Sequence, residues 1–354
     1  MIFRFFHAFL LGSMLLQPVA FTSVASRYQS ERQIDSRAVV SIQALPALNL
    51  DYLVETSELI VLGELVTIEE TSSTGTVEVG GKHTEVRIDR GTLRIDEMLK
   101  GIHDEALVFD LVRPMRDTAW ELPDPQTYGL FFFRVGEDKR ITFTNPYYPK
   151  ISVPRGLYSR GDTTLDRVVS ILGDMLVRPE RRGDALQYLQ FSESKAAISV
   201  LRAALDTVSD PHLSIRIANA LILQGDSYCL SFIKHVFLPG PAIPVDSFQE
   251  LTLSNAMAYY LKDPDAIPEL EDLLGAPSAY IRRGAAGALR GTQSPQALGA
   301  LVKALDDVDS EVRYWGVVGL AEISGQKDWR PNETLFKSDE SRFLSHWKEW
   351  ARNR

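Results

Sequence analysis

The sequence predicts two domains of different class: a small N-terminal β-barrel or sandwich, followed by a C-terminal α-solenoid. Three observations predict it. From residue 57 to about residue 145, apolar residues alternate with polar ones, the period of half-buried strands. From Asp162 onward the apolar period becomes helical. Within that helical half a pattern recurs at intervals near thirty residues. The length of 354 residues agrees with about two domains.

Composition narrows the function classes. Apolar residues make up 45% and charged residues 24%, values of a folded globular chain, which excludes dominant disorder, collagen and coiled coil. A net charge of −9 argues against a broad nucleic-acid-binding surface. The single cysteine, Cys229, can neither close an internal disulfide nor supply a Cys-rich metal site.

The N-terminus reads as an export signal. Arg4 precedes an apolar run, and Ser23-Val24-Ala25 fits a small-x-small cleavage pattern with Ser26 as the first mature residue. Residues 1–25 are therefore expected to be a signal peptide, and 26–50 a poorly ordered N-terminal segment. The alternative is an uncleaved anchor, but the run is shorter than the ~20 residues a span needs. No cysteine stands near the cleavage site, which excludes a bacterial lipoprotein anchor, and no later stretch is long and apolar enough to span a membrane. Cleavage would take the charge from −9 to −10 by removing Arg4. An exported chain with one thiol suits a bacterial periplasm or secretion better than an animal extracellular space.

The β elements follow within 51–145. Leu59-Ile60-Val61-Leu62 and Leu65-Val66-Thr67-Ile68 bracket Gly63 and predict one long bent strand. Val86-Arg87-Ile88 and Leu93-Arg94-Ile95 alternate, and Leu107 to Leu111, Leu130 to Phe133 and Ile141 to Phe143 continue the series. The polar, Gly- and Thr-rich stretch 69–82 reads as a long loop between strands. Residues 146–161, rich in Pro, Gly and Tyr, form a connector along which the two domains are expected to separate. The helical domain is expected over 162–325, opening at Thr164 with Asp162 or Thr163 as N-cap, and a helical cap over 326–354.

Two helix patterns alternate in that domain. One places apolar residues around Leu201, Ile233, Leu270 and Leu301, spaced by 32, 37 and 31 residues. The other places Arg182, Arg216, Arg282 and Arg313 seven residues before Leu189, Leu223, Leu289 and Leu320, with Ser254 in the Arg place before Leu261. Asp210-Pro211, Asp263-Pro264, Ser294-Pro295 and Asp309-Ser310 suit helix starts. One such helix pair cannot bury its apolar face alone, whereas stacked pairs can.

The copies at 279–289 and 310–320 resemble HEAT-like repeats, of the short subclass named after phycobilisome lyases. The resemblance covers about residues 178–325. It implies a solenoid of HEAT-like repeats, and a repeat arginine that bonds turn carboxylates or carbonyls. Arg216, Arg282 and Arg313 are accordingly read as structural rather than anion-binding. Phe343, Trp347 and Trp350 fall on one helix face and read as the cover of the last repeat.

The order Leu59 to Leu65, then Leu99-Lys100-Gly101, then Tyr128-Gly129-Leu130-Phe131 resembles the netrin/tissue-inhibitor type of OB-like barrel. Members of that family inhibit metalloproteases through disulfides and an N-terminal cysteine. This chain has neither, so the inhibitor chemistry does not carry over.

Catalytic signals are weak. Gly-x-Ser-x-Gly, His-Glu-x-x-His and paired Cys-x-x-Cys are absent, and the six histidines lack metal-ligand spacing. The phosphate-loop-like run from Gly75 to His83 has an extra Gly and a His after Lys82, and reads as a hairpin. Cys229 reads as a buried small hydrophobe. No cofactor or metal is implied.

The expected function is a non-enzymatic, exported interaction or scaffold protein that binds a protein partner through the solenoid groove. The alternative is an enzyme or inhibitor-like protein with its site in the β domain or at the junction. Helical spacing assigns the partner face to Ile217, Leu221, Tyr259, Arg283, Tyr314 and Val318. The competing reading of Ile217, Leu221 and Val318 is packing between repeats.

Overall fold

The computed structural model describes residues 39–42, 49–79, 82–103, 105–115, 122–145, 148–178, 182–239 and 245–354. The expected signal peptide and cleavage site, most of 26–50, Gly80 and Gly81, and residues 240–244 lie outside the described residues. The described residues group into two compact units, one ending at Ala197 and the other running from Ile198 to Arg354.

The first unit holds an eight-stranded mixed sheet. Its strands are β1 (Val39–Ile42), β2 (Leu59–Glu69), β3 (Thr74–Val79), β4 (Lys82–Lys100), β5 (Ala106–Pro114), β6 (Tyr128–Val135), β7 (Ile141–Phe143) and β8 (Lys150–Ser152). The order is β1-β3-β4-β2-β6-β7-β5, with β8 paired to β6 and β4 also paired to β5. Strands β4, β2, β6, β7 and β5 are thereby joined in a closed circuit of pairings. β1 with β3 and β5 with β7 run parallel, and the other pairs are antiparallel.

Alternation along each strand sends one set of side chains inward. Leu59, Val61 and Leu65 of β2 meet Leu93 of β4, Phe109 of β5, and Phe131 and Phe133 of β6 in one buried cluster. The Phe109 ring lies 4.9 Å from Phe133 and 5.0 Å from Phe143, the tilted geometry aromatic pairs favour.

Two expectations change here. The segments around Ile88 and Ile95 belong to one long strand, β4, which pairs in turn with β3, β2 and β5. The expected loop at 69–82 contains β3, which forms a hairpin with β4 in which Val79 faces Lys82. Its Thr- and Gly-rich composition masks a strand that buries Val77. The phosphate-loop-like run therefore lies in a hairpin and leads into a strand, not a helix. The bend expected at Gly63 coincides with a register shift, and a Cβ there would fall 2.2 Å from the Arg94 carbonyl oxygen. Only glycine lets β4 approach so closely.

The first unit also includes helices α1 (Leu50–Thr56), α2 (Thr164–Leu176) and α3 (Arg182–Leu189). Thr163 and Asp166 form a reciprocal capping box at the start of α2. Arg167 then fastens α2 to β4. Its guanidinium donates to Glu97 (2.8 Å), the Ser159 hydroxyl (2.9 Å), and the carbonyls of Leu99 (3.0 Å) and Met98 (3.1 Å). After α3, Ser192 Oγ and the Glu193 amide donate to Asp51 of α1 at 2.6 and 2.8 Å. The packing thus divides at Ala197, well past the change of period at Asp162.

Burial pulls the Glu97 carboxyl upward, but hydrogen bonds from Ser159 and Arg167 outweigh it and hold the group below its ordinary value of 4.5. A depressed carboxylate adds stability that is present above the unfolded value and lost as pH falls through the folded one. Arg167→Met is expected to cost about 1–3 kcal/mol, discounted for its partial exposure. It should also remove part of the acid sensitivity below that ordinary value. Hydrogen exchange across 164–176 at neutral and acid pH checks both, and unchanged protection would refute the fastening.

The second unit is helical. It takes up most of α4 (Lys195–Thr207), then α5 (Pro211–Leu223), α6 (Leu230–Phe237), α7 (Ser247–Tyr260), α8 (Ile267–Leu273), α9 (Ala279–Gly291), α10 (Leu298–Ala304), α11 (Ser310–Ser324), α12 (Glu333–Ser338) and α13 (Glu340–Arg352). Asp210, Asp246, Ser278 and Asp309 cap α5, α7, α9 and α11 through their side chains. Asp263 and Ser294 cap the 3-10 turns that lead into α8 and α10. α7 packs against α5 and α9, α9 against α11, and α6 against α8. Phe343 and Trp347 of α13 are buried and Trp350 is half-buried, 5.3 Å from the Trp347 ring.

Two of the repeat arginines, Arg282 and Arg313, bond turns, whereas Arg216 is exposed on α5. Arg282 donates to the carbonyls of Ala276 and Pro277 and pairs with Asp307 at 2.8 Å. Arg313 donates to the Asp307 carbonyl (2.7 Å) and pairs with Glu340.

Candidate interaction surface

The six residues assigned by spacing do not share one fate. Ile217, Leu221 and Val318 are fully buried. A side chain without accessible surface cannot touch a partner, so these three belong to the core, as the competing reading held. α5 buries Leu213, Ile215, Ile217, Ala218, Leu221 and Ile222 and opens to solvent on the other face, at His212 and Arg216, so Ile217 and Leu221 lie on its covered side.

Tyr259, Arg283 and Tyr314 keep some surface. Tyr259 of α7 is 49% exposed, and its ring stands edge-on to Trp315 of α11, 6.3 Å away. Arg290 of α9 lies 5.2 Å over the Trp315 ring and pairs with Glu322 at 2.7 and 3.0 Å. The two aromatic rings therefore meet between helices that both flank α9. Tyr314 is half-buried, 5.4 Å from both Trp315 and Phe336.

Arg283 is held rather than offered. It pairs with Asp309 at 2.6 and 2.9 Å and with Glu311 at 2.9 Å. The Arg283 hydrogen bond, ahead of opposing burial, holds the Asp309 carboxyl below its usual range. Burial raises Glu322, but hydrogen bonds from Arg290 and Arg330 outweigh it and leave that carboxyl lowered as well. Arg283→Glu would set a third carboxylate beside Asp309 and Glu311. It is expected to cost roughly 1–3 kcal/mol, read as a lower melting temperature.

Spacing from the repeat arginines does not reach the N-terminal part of α7. Phe248 is 67% exposed and Leu251 38%, and both share the helix face of Asn255 and Tyr259. Their steps of three, four and four residues were visible in the sequence. The repeat template, anchored on the Arg place that Ser254 fills, did not reach them.

Among the described residues no group of three or more His, Cys, Asp or Glu could hold a metal ion. Cys229 is buried, and burial pushes its thiol up, so it stays protonated. Among the described residues no helix is long and apolar enough to cross a membrane.

The family model of HEAT repeats matches residues 251–321, the stretch from α7 to α11 that carries Tyr259, Arg283, Tyr314 and Trp315. HEAT repeats suggest a protein-interaction or scaffold role. No curated protein matches the chain.

Proposed function

We propose that this chain is an exported, non-enzymatic interaction or scaffold protein. Its helical unit acts as a short solenoid of HEAT-like repeats that docks a protein partner along α7, α9 and α11. The observation that carries the reading is the coincidence of the HEAT-repeat match with the exposed Tyr259 ring, set edge-on to the partly buried Trp315. Surface apolar residues grouped in this way mark interaction sites more often than single exposed ones do. The same reading takes the sheet as an OB-like barrel, supported by the closed circuit of pairings through β4, β2, β6, β7 and β5. Export rests on the layout of residues 1–25.

The test uses the intact chain, tagged at its C-terminus and expressed in its own cells. N-terminal sequencing of the exported fraction should begin at Ser26. Cross-linking and affinity capture should recover a protein partner, and Tyr259→Ala should weaken capture with the melting temperature unchanged. Failure to recover any protein with the unaltered chain refutes the interaction role, and a retained Met1 refutes cleavage.

A further inference from the structure

On α11, Trp315 and Glu322 stand two turns apart on one face, and Tyr314 flanks that face. Tyr314 and Trp315, with Tyr259 of α7 edge-on to Trp315, make a platform of three rings. Tyr259 is exposed, and the other two rings are half-buried. Arg290 of α9 reaches over Trp315 to Glu322, and Arg330, in the turn before α12, reaches Glu322 as well.

The acceptor in this cluster is filled. Glu322 takes Arg290 Nε at 2.7 Å, Arg290 Nη2 at 3.0 Å, Arg330 Nε at 2.7 Å and Gln293 Nε2 at 3.3 Å. Four bonds use the lone pairs of a carboxylate. The other acids nearby are also engaged, Glu333 by Lys337 and Glu311 by Arg283.

The donors are not filled. Arg330 Nη1 and Nη2, Arg290 Nη1 and the Tyr314 hydroxyl make no hydrogen bond among the described residues. Arg330 keeps 42% of its side chain in solvent, against 17% for Glu322, so its outer edge is open. That edge is a planar fork of the width a carboxylate fits. Burial raises the Tyr314 phenol above its ordinary value, with Arg330, Glu333, Arg290 and Glu322 all acting on it, so the hydroxyl keeps its proton beside these charges.

The charges of the cluster nearly balance, and what it has in surplus is hydrogen-bond donors beside an apolar platform. A basic segment would find Glu322 filled and the Trp315 face taken by Arg290. Resting on the interaction role argued above, we propose that this face of α11 docks a segment of a partner protein that carries an aspartate or glutamate near an apolar residue. The apolar side chain lies on the Tyr259, Trp315 and Tyr314 rings, and the carboxylate takes the open edge of Arg330 with the Tyr314 hydroxyl. Trp315 and Glu322 are about 10 Å apart along the helix, a distance an extended segment covers in about three residues. The acid therefore stands about three positions from the apolar residue. The chain's net charge of −9 does not attract such a segment from afar, so selectivity rests on contact rather than on steering.

The probes are three synthetic peptides with the same Phe-Leu pair, differing only in a Glu, Gln or Lys three residues on. Fluorescence anisotropy with the intact chain should show the Glu peptide binding about fivefold or more tightly than the Gln peptide, with the Lys peptide weakest. The Glu advantage should shrink as salt rises. Arg330→Gln should bring the Glu and Gln peptides within about twofold of one another. It should leave the Gln peptide and the melting temperature unchanged, because Arg290 and Gln293 still hold Glu322. Tyr259→Ala should weaken all three peptides by a similar factor. Should Arg330→Gln melt early, Tyr314→Phe removes only the hydroxyl and should lower the Glu advantage by about twofold or more.

Equal binding of the Glu and Gln peptides, tighter binding of the Lys peptide, no binding of any, or a Glu advantage that survives Arg330→Gln overturns the proposal. A concentration-dependent dimer lost in Arg330→Gln overturns it in favour of a second copy. If the intact chain captures a cellular partner while the peptides are not told apart, this inference falls and the interaction role stands. If the chain captures no partner and binds no peptide, both fall.

Discussion

Asp89→Ala is expected to destabilise the sheet unit by about 1–3 kcal/mol, the loss of two charged pairs discounted because the arginines left behind are each about a third exposed. Asp89 sits in β4 with its carboxylate fully buried. Arg87 Nε approaches it at 2.8 Å and Arg113 Nε at 2.7 Å, and the Thr71 amide donates to it at 3.3 Å. Arg87 and Arg113 are direct cross-strand partners between β4 and β5, so two guanidiniums face one another across the ladder. Like charges opposite one another destabilise a sheet unless something lies between them. The remaining acid, Glu70, is bonded to Arg87 but is 75% exposed and screened by solvent. Asp89→Asn keeps the size but not the charge and should fall between the two. Hydrogen exchange of β4 and β5 during urea unfolding of the intact chain measures the effect. An unchanged midpoint would mean that Arg87 and Arg113 turn out to solvent and that Asp89 matters little.

Asp89 also shows where a sequence stops being informative. Alternation around Val86 and Ile88 marks one face of β4 as core and leaves Arg87 and Asp89 on the other. The structure buries Asp89 as well, because residues near Thr71 cover that face through bonds to the Ile88 carbonyl and the Asp89 carboxylate. Periodicity reports one neighbour layer at a time, and a covering loop has no period. The same limit explains α2. Its helical pattern was plain, but its attachment to β4 rests on Arg167 reaching two backbone carbonyls, and carbonyls leave no mark in a sequence. The repeat, by contrast, was legible, because stacking demands the same residue at the same place in each copy. The arginine ligands followed only in part. Asp309, legible as a helix start, pairs with Arg283, and Asp307 takes the repeat arginine Arg282. At the interaction surface Tyr259 was legible, and Phe248 and Leu251 were not.

Gly287→Leu is expected to cost about 3 kcal/mol or more, at the upper end of overpacking effects, because the obstruction is backbone. A Cβ on Gly287 would lie 2.5 Å from the Ala258 Cβ and 3.0 Å from its Cα. One turn earlier, a Cβ on Gly284 would lie 2.9 Å from the Ser254 Cα. α9 thus approaches α7 backbone to backbone, and no rotamer change can make room. Forced apart, α7 would carry Tyr259 away from Trp315, so partner capture should fall together with stability. That pairing separates Gly287→Leu from Tyr259→Ala, which should lose capture alone. Gly299→Ala supplies the control. It lies in α10, where an added Cβ meets nothing within 4 Å, and helix propensity predicts a gain of up to about 1 kcal/mol. Thermal unfolding of the intact chain, followed by the tryptophans at 315, 329, 347 and 350, reads both variants from the helical unit. If Gly287→Leu melts with the unaltered chain, α9 does not lie against α7 as described, and the surface built on their contact must be abandoned.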